Sequence, residues 1–295
     1  MLRGKHVVIF GGDARQLEII RKLLIYNAKL SLIGFDRLDD SYTGASKKTV
    51  AEMDWSDVDA IILPVHGSQL DGTIDSIFSD KEEKLLVEHL QKTPEHCLVF
   101  TGISNRYLDE CTERAKRKLI KLMDRDDIAI YNSIPTAEGA IMMAIQHMDI
   151  TIHRSKVVVI GLGRVGMTVA RAFDALGAKV SVVARRADHL ARITEMGLDA
   201  YSFAEMNVPL RDVDLLINTV PAPVVTKDVL ANMPLHALII DLASKPGGVD
   251  FEYAEKRGIK ALLAPSLPGI VAPKTAGQIL ADTLATLIKE SATRR

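Results

Sequence analysis

The residues with the clearest chemical signature form a glycine pattern in the second half of the chain. An apolar run at 157–160 leads into Gly-Leu-Gly-Arg-Val-Gly at 161–166, after which apolar residues recur at helical spacing. A buried strand, a Gly-x-Gly-x-x-Gly turn and an amphipathic helix, in this order, are typical of a turn that binds a dinucleotide. The glycines allow a tight turn, close approach of the backbone to a pyrophosphate, and packing of helix on strand. The predicted phosphate-binding residues are Gly161, Leu162, Gly163, Arg164, Val165 and Gly166.

The residues after the next predicted strand indicate which dinucleotide binds. The strand-like run 179–183 is followed by Ala184, Arg185 and Arg186, and no acidic residue occurs before Asp188. Sites that prefer NAD usually place Asp or Glu here, where it binds the ribose 2′-hydroxyl, whereas guanidinium groups suit a 2′-phosphate. These three residues are therefore predicted to bind NADP. The alternative is that the two arginines form only a solvated basic turn.

Composition and charge exclude several other classes of protein. The net charge of −1 gives no electrostatic basis for binding nucleic acid or an anionic membrane. Cys97 and Cys111 are the only cysteines and do not have metal-ligand spacing, so we expect no metal site. The first residues lead into a strand-like run without the apolar segment of a signal peptide, and no apolar run approaches the ~20 residues of a membrane span. We therefore expect a cytoplasmic protein.

Strand-like runs alternate with helical patterns along the whole chain, which is longer than one domain usually is. The predicted fold class is α/β, with two Rossmann-like doubly wound parallel-sheet domains joined by a bridging helix. The arrangement is similar to that of D-2-hydroxyacid and alanine dehydrogenases. The expected boundaries are 1–133 for an N-terminal substrate or partner domain, 134–150 for the bridging helix and 151–274 for the NADP-binding domain, with a C-terminal helix at 275–295 packing back on the first domain.

Two helices are predicted from particular residues. Ser133 suits the position that caps a helix, and Pro135 suits its first turn, so the bridging helix should begin there. Its polar N-terminus would point into a cleft between the domains, which is a usual place for a site. The run from Lys81 to Gln91 has the pattern of a charged amphipathic helix.

Polar and small residues follow the later strands of the predicted second sheet. The carboxyl ends of parallel strands are where such sheets bind ligands, and here they would meet the nicotinamide half of the cofactor. The residues predicted to line that half are Thr219, Val220, Pro221, Leu242, Ala243 and Ser244.

Several charged and hydroxyl side chains are predicted near this cleft and suggest an anionic substrate held by charge-assisted hydrogen bonds. Each of them taken singly could instead be a helix cap or a surface charge, and the sequence does not identify the residue that transfers the proton. The candidate catalytic residues are Glu138, Lys245 and Lys274, and the candidate substrate-binding residues are Asp13, Arg15, Ser133 and Thr136.

Several longer runs, taken together, are specific enough to suggest a family. They lie at 11–20, 131–136, 161–164, 191–197, 261–265 and 274–278. These runs resemble the A subunits of dipicolinate synthases from spore-forming bacteria. The resemblance implies NADP-dependent oxidation of a dihydrodipicolinate-level dicarboxylate to dipicolinate, in the mother cell of a sporulating bacterium. It also implies that the partner is a second, flavoprotein-like subunit, and we expect the chain to form a homo-oligomer.

Other functions remain open at this point. D-2-hydroxyacid dehydrogenases would place a His just before the final helix, yet no His follows His236. The run 267–271 is similar to alanine dehydrogenases, but Arg185 and Arg186 disagree with the NAD preference of those enzymes. A third alternative is a catalytically inert NADP-binding module that senses redox state or forms a scaffold for a partner.

Overall fold

Two six-stranded parallel sheets organise the chain. The computed structural model describes residues 1–39 and 42–293. It divides the chain into two units: unit 1 comprises Met1–Ala129 together with the described residues from Ala272 onward, and unit 2 comprises Ile130–Val271. The doubly wound α/β fold class predicted from the sequence is confirmed in both units.

Unit 1 has the strand order β3-β2-β1-β4-β7-β8. All six strands are parallel, and the side of the sheet on which successive strands are added changes between β1 and β4. A separate two-stranded antiparallel ribbon pairs β5 with β6. The elements of unit 1 before residue 126 are β1 (His6–Phe10), α1 (Arg15–Ile25), β2 (Lys29–Ile33), β3 (Ala45–Lys48), β4 (Ala60–Ile62), β5 (Thr73–Ile74), β6 (Glu83–Lys84), α2 (Val87–Lys92), β7 (Leu98–Thr101), α3 (Arg106–Arg114) and β8 (Lys118–Lys121), with 3-10 turns at Val50–Glu52 and Leu122–Asp124.

Helix α4 (Asp126–His147) runs across the boundary between the units in sequence, and unit 2 repeats the same strand order as β11-β10-β9-β12-β13-β14. The last helix of the chain belongs to unit 1. After α4, the elements of unit 2 are β9 (Lys156–Ile160), α5 (Arg164–Ala175), β10 (Lys179–Ala184), α6 (Ala187–Glu195), β11 (Asp199–Ser202), α7 (Asn207–Leu210), β12 (Leu215–Asn218), α8 (Lys227–Ala231), β13 (Leu238–Asp241), α9 (Phe251–Arg257), β14 (Lys260–Leu263) and α10 (Leu267–Val271), with a 3-10 turn at Phe203–Glu205. The helix that returns to unit 1 is α11 (Pro273–Thr293).

The central strand of unit 2 shows why its sequence is an unbroken apolar run. Successive side chains of a strand point to opposite faces of the sheet. Val157 and Val159 therefore pack against Phe173 of α5 on one face, while Val158 and Ile160 pack into a second cluster on the other. A parallel strand covered on both faces has no position for a polar residue, so the run is apolar throughout.

In unit 1 the C-terminal helix α11 packs along α1, and the two helices run parallel. The Gln278 amide lies 3.4 Å from the Glu18 carboxylate, and one turn further along both helices Lys22 forms a 2.8 Å ion pair with Asp282. Gly277 lies at a close approach, because a Cβ there would be 2.5 Å from the carbonyl oxygen of Arg15. The buried apolar residues that α11 adds to the core around α1 are Leu280, Ala281, Leu284, Ala285 and Ile288.

Two predicted helices differ from the observed ones. The helix expected over 81–91 is wrong in its first half, because Glu83–Lys84 pairs as a strand with Thr73–Ile74 and α2 begins only at Val87. Lys84 also donates a 2.5 Å hydrogen bond to Asp71, which lies just before β5. A charged segment can thus form a strand when a partner strand about ten residues earlier in the chain supplies its hydrogen bonds.

The bridging helix also begins earlier than predicted. Helix α4 starts at Asp126 rather than at 134, and Pro135 lies inside it. The expectation that no apolar run is long enough to cross a membrane is wrong for this helix, since by length and composition an 18-residue window of it qualifies, with mean hydropathy 1.2. Of that window 44% is buried in the protein, and Ala137, Ala140 and Ala144 belong to the core of unit 2.

The sequence does not predict three of the strands that lie at sheet edges. These are β3, β8 and β11, whose residues are half-buried or exposed. An edge strand bonds to only one neighbour and exposes much of its surface, so it lacks the apolar signature of β1 or β9. Its existence depends on the neighbouring strand that it pairs with.

We predict that Gly277→Ala lowers the free energy of unfolding by about 1 to 3 kcal/mol, because the added methyl group meets the α1 backbone. This loss should exceed the gain in helix propensity, which is about 1 kcal/mol. Thr286→Ala is the matched control, since Thr286 is exposed on the same helix. Urea denaturation compares the two variants, and a Gly277→Ala protein as stable as wild type would contradict the close packing.

Candidate active site

The loop between β9 and α5 depends on two glycines. Gly161 has a φ of +97°, in the left-handed region that side chains disfavour. A Cβ at Gly161 would lie 2.6 Å from the hydroxyl oxygen of Thr219, and a Cβ at Gly166 would collide with the Gly161 carbonyl. The Thr219 hydroxyl itself donates a 2.8 Å hydrogen bond to the carbonyl of Ile160. Helix α5 therefore starts directly at the ends of β9 and β12, where the strand order reverses.

The middle glycine of the pattern, Gly163, has open surroundings. Gly163 has a φ of −83°, which any residue can adopt, and apart from its two chain neighbours no residue of the described chain has an atom within 4 Å of the position of a Cβ there. It is the residue before α5, and no side chain caps this helix. The first N–H groups of a helix and the positive end of its dipole attract an anion. The space that Gly163 leaves open in front of α5 therefore fits a pyrophosphate.

The two arginines after β10 are exposed. Arg186 donates hydrogen bonds to Asp188, at 2.9 Å from Nε to Oδ1 and 2.5 Å from Nη2 to Oδ2. These bonds lower the pKa of the Asp188 carboxyl below its ordinary value. Arg185 forms no ion pair with any residue that the structure describes. Because exposed ion pairs contribute little to stability, the pair of Arg186 and Asp188 opposes a competing phosphate only weakly.

Two buried polar residues at the next strand ends were not predicted from the sequence. Asn218 ends β12 and Asp241 ends β13, both are 0% exposed, and the Asn218 amide donates a 2.8 Å hydrogen bond to Asp241. The Asp241 carboxyl also accepts the backbone N–H of Ala243 at 3.0 Å and that of Gly248 at 2.9 Å. A signal was present in the sequence, because each is a polar residue directly after an apolar strand.

The residues predicted to line the nicotinamide half follow these two strand ends. Thr219, Val220 and Leu242 are half-buried, Ala243 is buried, and Pro221, Ser244 and Lys245 are exposed. The Ser244 carbonyl accepts a 2.9 Å hydrogen bond from the N–H of Gly247, which closes the turn that carries Lys245. The structure thus brings the loops after β9, β12 and β13 to one edge of the unit 2 sheet.

The carboxyl edge of the unit 1 sheet carries the pair of Asp13 and Arg15, which follow β1. Arg15 is 5% exposed, and its Nε and Nη2 atoms lie 2.6 to 3.1 Å from the two Asp13 carboxylate oxygens. Burial would raise the pKa of the Asp13 carboxyl, but the hydrogen bonds and charge of Arg15, with a smaller contribution from His66, hold that pKa below its ordinary value. Lys274 is exposed in the first turn of α11, one turn before the contact of Gly277 with Arg15.

The three candidate residues on α4, which are Ser133, Thr136 and Glu138, differ in how far they are exposed. Ser133 is 1% exposed, and its hydroxyl donates to the Ile130 carbonyl at 2.6 Å and lies 2.6 Å from the hydroxyl of Thr168. The prediction that Ser133 caps the helix is therefore wrong, since it lies two turns inside it. Thr136 donates to the Asn132 carbonyl at 2.7 Å, and Glu138 is exposed. Among the residues that the structure describes, no cluster of His, Cys, Asp or Glu could hold a metal ion.

Comparison with protein families gives two matches that together span most of the chain. Residues 6–123 match the N-terminal domain of the A subunit of dipicolinate synthase. Residues 129–295 match the C-terminal domain of alanine dehydrogenase/PNT. The second match, together with the open glycine loop of unit 2, implies a nicotinamide cofactor.

Individual relatives agree with the first of these matches. The A subunit of dipicolinate synthase from Bacillus subtilis (strain 168) is 57% identical over 290 residues, which are 98% of each chain. The crystal structure of the A subunit of dipicolinate synthase from Bacillus halodurans is 63% identical, with a TM-score of 0.96 over 98% of this chain and 99% of that one. A transhydrogenase from Sinorhizobium meliloti shares only the fold, at 15% identity and a TM-score of 0.66 over 95% and 94% of the two chains. The chain belongs to the family of dipicolinate synthase A subunits.

Proposed function

We propose that this chain is an NADP-dependent oxidoreductase that converts a dihydrodipicolinate-level dicarboxylate to dipicolinate, together with a second, flavoprotein-like subunit. The observation that carries the proposal is the open position at Gly163, before an uncapped α5, in a chain 57% identical to the A subunit of a dipicolinate synthase. The reaction would take place in the cytoplasm of the mother cell during sporulation, with the chain as a homo-oligomer.

The proposed reaction removes two electrons and two hydrogens from the ring. One ring C–H bond breaks with its electron pair, one proton leaves the ring, and an aromatic pyridine results. A bound NADP would supply the hydride acceptor for this oxidation. We assign the proton to the exposed carboxylate of Glu138. Because aromatisation favours the step, the main task of the protein is to hold the substrate in position.

The residues that would hold the cofactor lie at the carboxyl edge of the unit 2 sheet. The backbone at 161–166 would hold the pyrophosphate, and Arg185 and Arg186, which follow the buried Ala184 at the end of β10, would bind the 2′-phosphate. The loops at 219–221 and 242–244 contact the nicotinamide half. Arg186 would exchange its bonds with Asp188 for charge-assisted bonds to the phosphate, which are the stronger kind.

The substrate carboxylates would be bound by cations. Within unit 1, the first turns of α1 and α11 lie side by side, and their positive dipole ends add to the charges of Arg15 and Lys274. The Arg15 Nη1 atom has no hydrogen-bond partner in the part of the chain that the structure describes, so it can bind a carboxylate while Asp13 fixes the rest of the guanidinium.

In unit 2 the exposed Lys245 would bind beside the nicotinamide. Thr136 would contact substrate only after giving up its bond to the Asn132 carbonyl. We assign no substrate contact to Ser133, because its buried hydroxyl is already engaged by two partners.

We predict that NADPH binds more tightly than NADH, and that Arg185→Ala with Arg186→Ala removes the difference. Each charge-assisted bond to the 2′-phosphate contributes on the order of 1.5 to 3 kcal/mol. Fluorescence titration of both cofactors measures the preference. Asp188→Asn is the control, because it frees Arg186 without removing a cation and should leave NADPH affinity equal or higher. Equal affinities of the wild-type protein for NADPH and NADH would contradict the assignment of NADP.

We also predict that Gly163→Ala weakens cofactor binding by at least tenfold while the thermal midpoint stays within about 2 °C of wild type. The methyl group meets no protein atom but occupies the space in front of α5. Gly166→Ala, in contrast, should destabilise unit 2, because its methyl group collides with the Gly161 carbonyl. Calorimetry and NADPH titration separate the two effects. Unchanged NADPH affinity in Gly163→Ala would mean that the pyrophosphate does not approach this residue.

The reaction itself is tested by generating the precursor enzymatically from pyruvate and aspartate semialdehyde and following dipicolinate by chromatography. Both subunits with NADP should form dipicolinate faster than spontaneous oxidation does. Lys245→Ala and Lys274→Ala should lower turnover without changing NADPH affinity, whereas Lys260→Ala, at the amino end of β14, should have no effect.

Two outcomes would count against this proposal. Dipicolinate formed no faster than by spontaneous oxidation, whatever the cofactor, would remove the enzymatic function. Full activity of the partner alone would assign this chain to a redox-sensing or scaffold role.

A further inference from the structure

Asn218 and Asp241 form a buried polar pair at adjacent strand ends. Strands β12 and β13 pair in parallel with these two residues in register, and neither side chain is exposed. Burying polar groups costs free energy unless every hydrogen bond is made. The hydrogen bonds of this pair offset that cost, and besides the bond between the two side chains they all go to the backbone of the loops after β12 and β13.

The bonds of Asp241 determine the path of the loop after β13. Its Oδ1 atom accepts from the Asn218 amide and from the N–H of Ala243, and its Oδ2 atom accepts from the N–H of Gly248. Both oxygens act only as acceptors, as those of an ionised carboxylate do. No cation forms an ion pair with Asp241 within residues 1–39 and 42–293. The charge is thus balanced by dipoles from both ends of the loop 243–248.

The bonds of Asn218 determine the path of the loop after β12. Its amide nitrogen also donates to the Val220 carbonyl at 3.0 Å, and its amide oxygen accepts the N–H of Val220 at 3.1 Å. The Gly248 carbonyl accepts from the N–H groups of Val224 and Val225, at 3.1 and 2.8 Å. A Cβ at Gly248 would collide with the Asn218 amide. One buried pair therefore fixes two loops against each other.

We propose that the Asn218–Asp241 pair positions the loops 219–222 and 243–248 so that their backbone and Ser244 meet the nicotinamide half of the cofactor, while Lys245 faces the substrate beside it. The inference rests on the proposed function, because it requires that a nicotinamide dinucleotide binds unit 2. Asp241 acts through these loops and touches neither the cofactor nor the substrate, so it is a positioning residue.

Asp241→Asn is the informative substitution because it keeps the shape of the side chain. Its amide group would turn an NH₂ towards the N–H of Gly248, or else towards the N–H of Ala243 and the Asn218 amide. In the first orientation the NH₂ group faces one donor, and in the second it faces two. Either orientation releases one end of the loop 243–248. We expect Asp241→Asn to raise the dissociation constant of NADPH at least tenfold. The N–H groups of Val220, Ala243 and Gly248 should exchange with deuterium at least tenfold faster, with or without NADPH.

The control is Asp214→Asn at the opposite edge of the same sheet, where Asp214 accepts the N–H of Lys156 at 2.7 Å. It should lower the thermal midpoint while NADPH affinity stays within twofold of wild type. Asn218→Ala is the second variant: it removes the same link from the other side and carries the test if Asp241→Asn does not fold.

The possible outcomes separate the two claims. Asp241→Asn or Asn218→Ala with wild-type NADPH affinity, in spite of faster exchange in the loops, would overturn the positioning role alone. Unchanged exchange in these loops would overturn it as well. A wild-type protein that binds neither NADPH nor NADH would instead refute the proposed function, since the amide exchange is measured independently of any cofactor.

Discussion

The close approach of backbone to backbone at the carboxyl end of β9 is the constraint on which the rest of unit 2 depends. Helix α5 can begin there only because Gly161 and Gly166 carry no Cβ that would meet Thr219 or the neighbouring carbonyl. This approach leaves the first turn of α5 without a side-chain cap and with open space at Gly163. The same two glycines thus determine how the helix packs and leave the N–H groups of its first turn without a side-chain cap.

Unit 1 has the same strand order, but at the carboxyl edge of its sheet a pair of side chains, Asp13 and Arg15, lies at the start of the first helix. At the end of β1, Gly12 has a φ of +98° and a Cβ there would lie 3.0 Å from Pro64, which follows β4. Here the buried guanidinium of Arg15 is held by Asp13, and α11 brings a second parallel helix beside α1. The same strand order therefore presents backbone donors at this edge in unit 2 and a cation fixed by a carboxylate in unit 1.

The sequence predicts the elements whose environment is local or fully buried. The strands β1 and β9 and the turn at 161–166 are recognisable because an unbroken apolar run has one stable place, the centre of a parallel sheet. The edge strand β3 and the β5–β6 ribbon are not, since each forms only where a partner segment supplies its hydrogen bonds. The start of α4 was misplaced for a related reason: Pro135 and Ser133 have the pattern of a helix start, and only packing shows that they lie inside the helix.

For the site, the sequence alone determined the dinucleotide turn, the two arginines after β10 and the family resemblance, because all of these reside in contiguous runs of residues. The tertiary structure decided which side chains are available. It buries Ser133 against Thr168, fixes Arg15 on Asp13, and joins Asn218 to Asp241 across 23 residues of sequence. The physical reason is that a hydrogen bond between separate strands depends on their register, and register is determined only when the whole sheet has assembled.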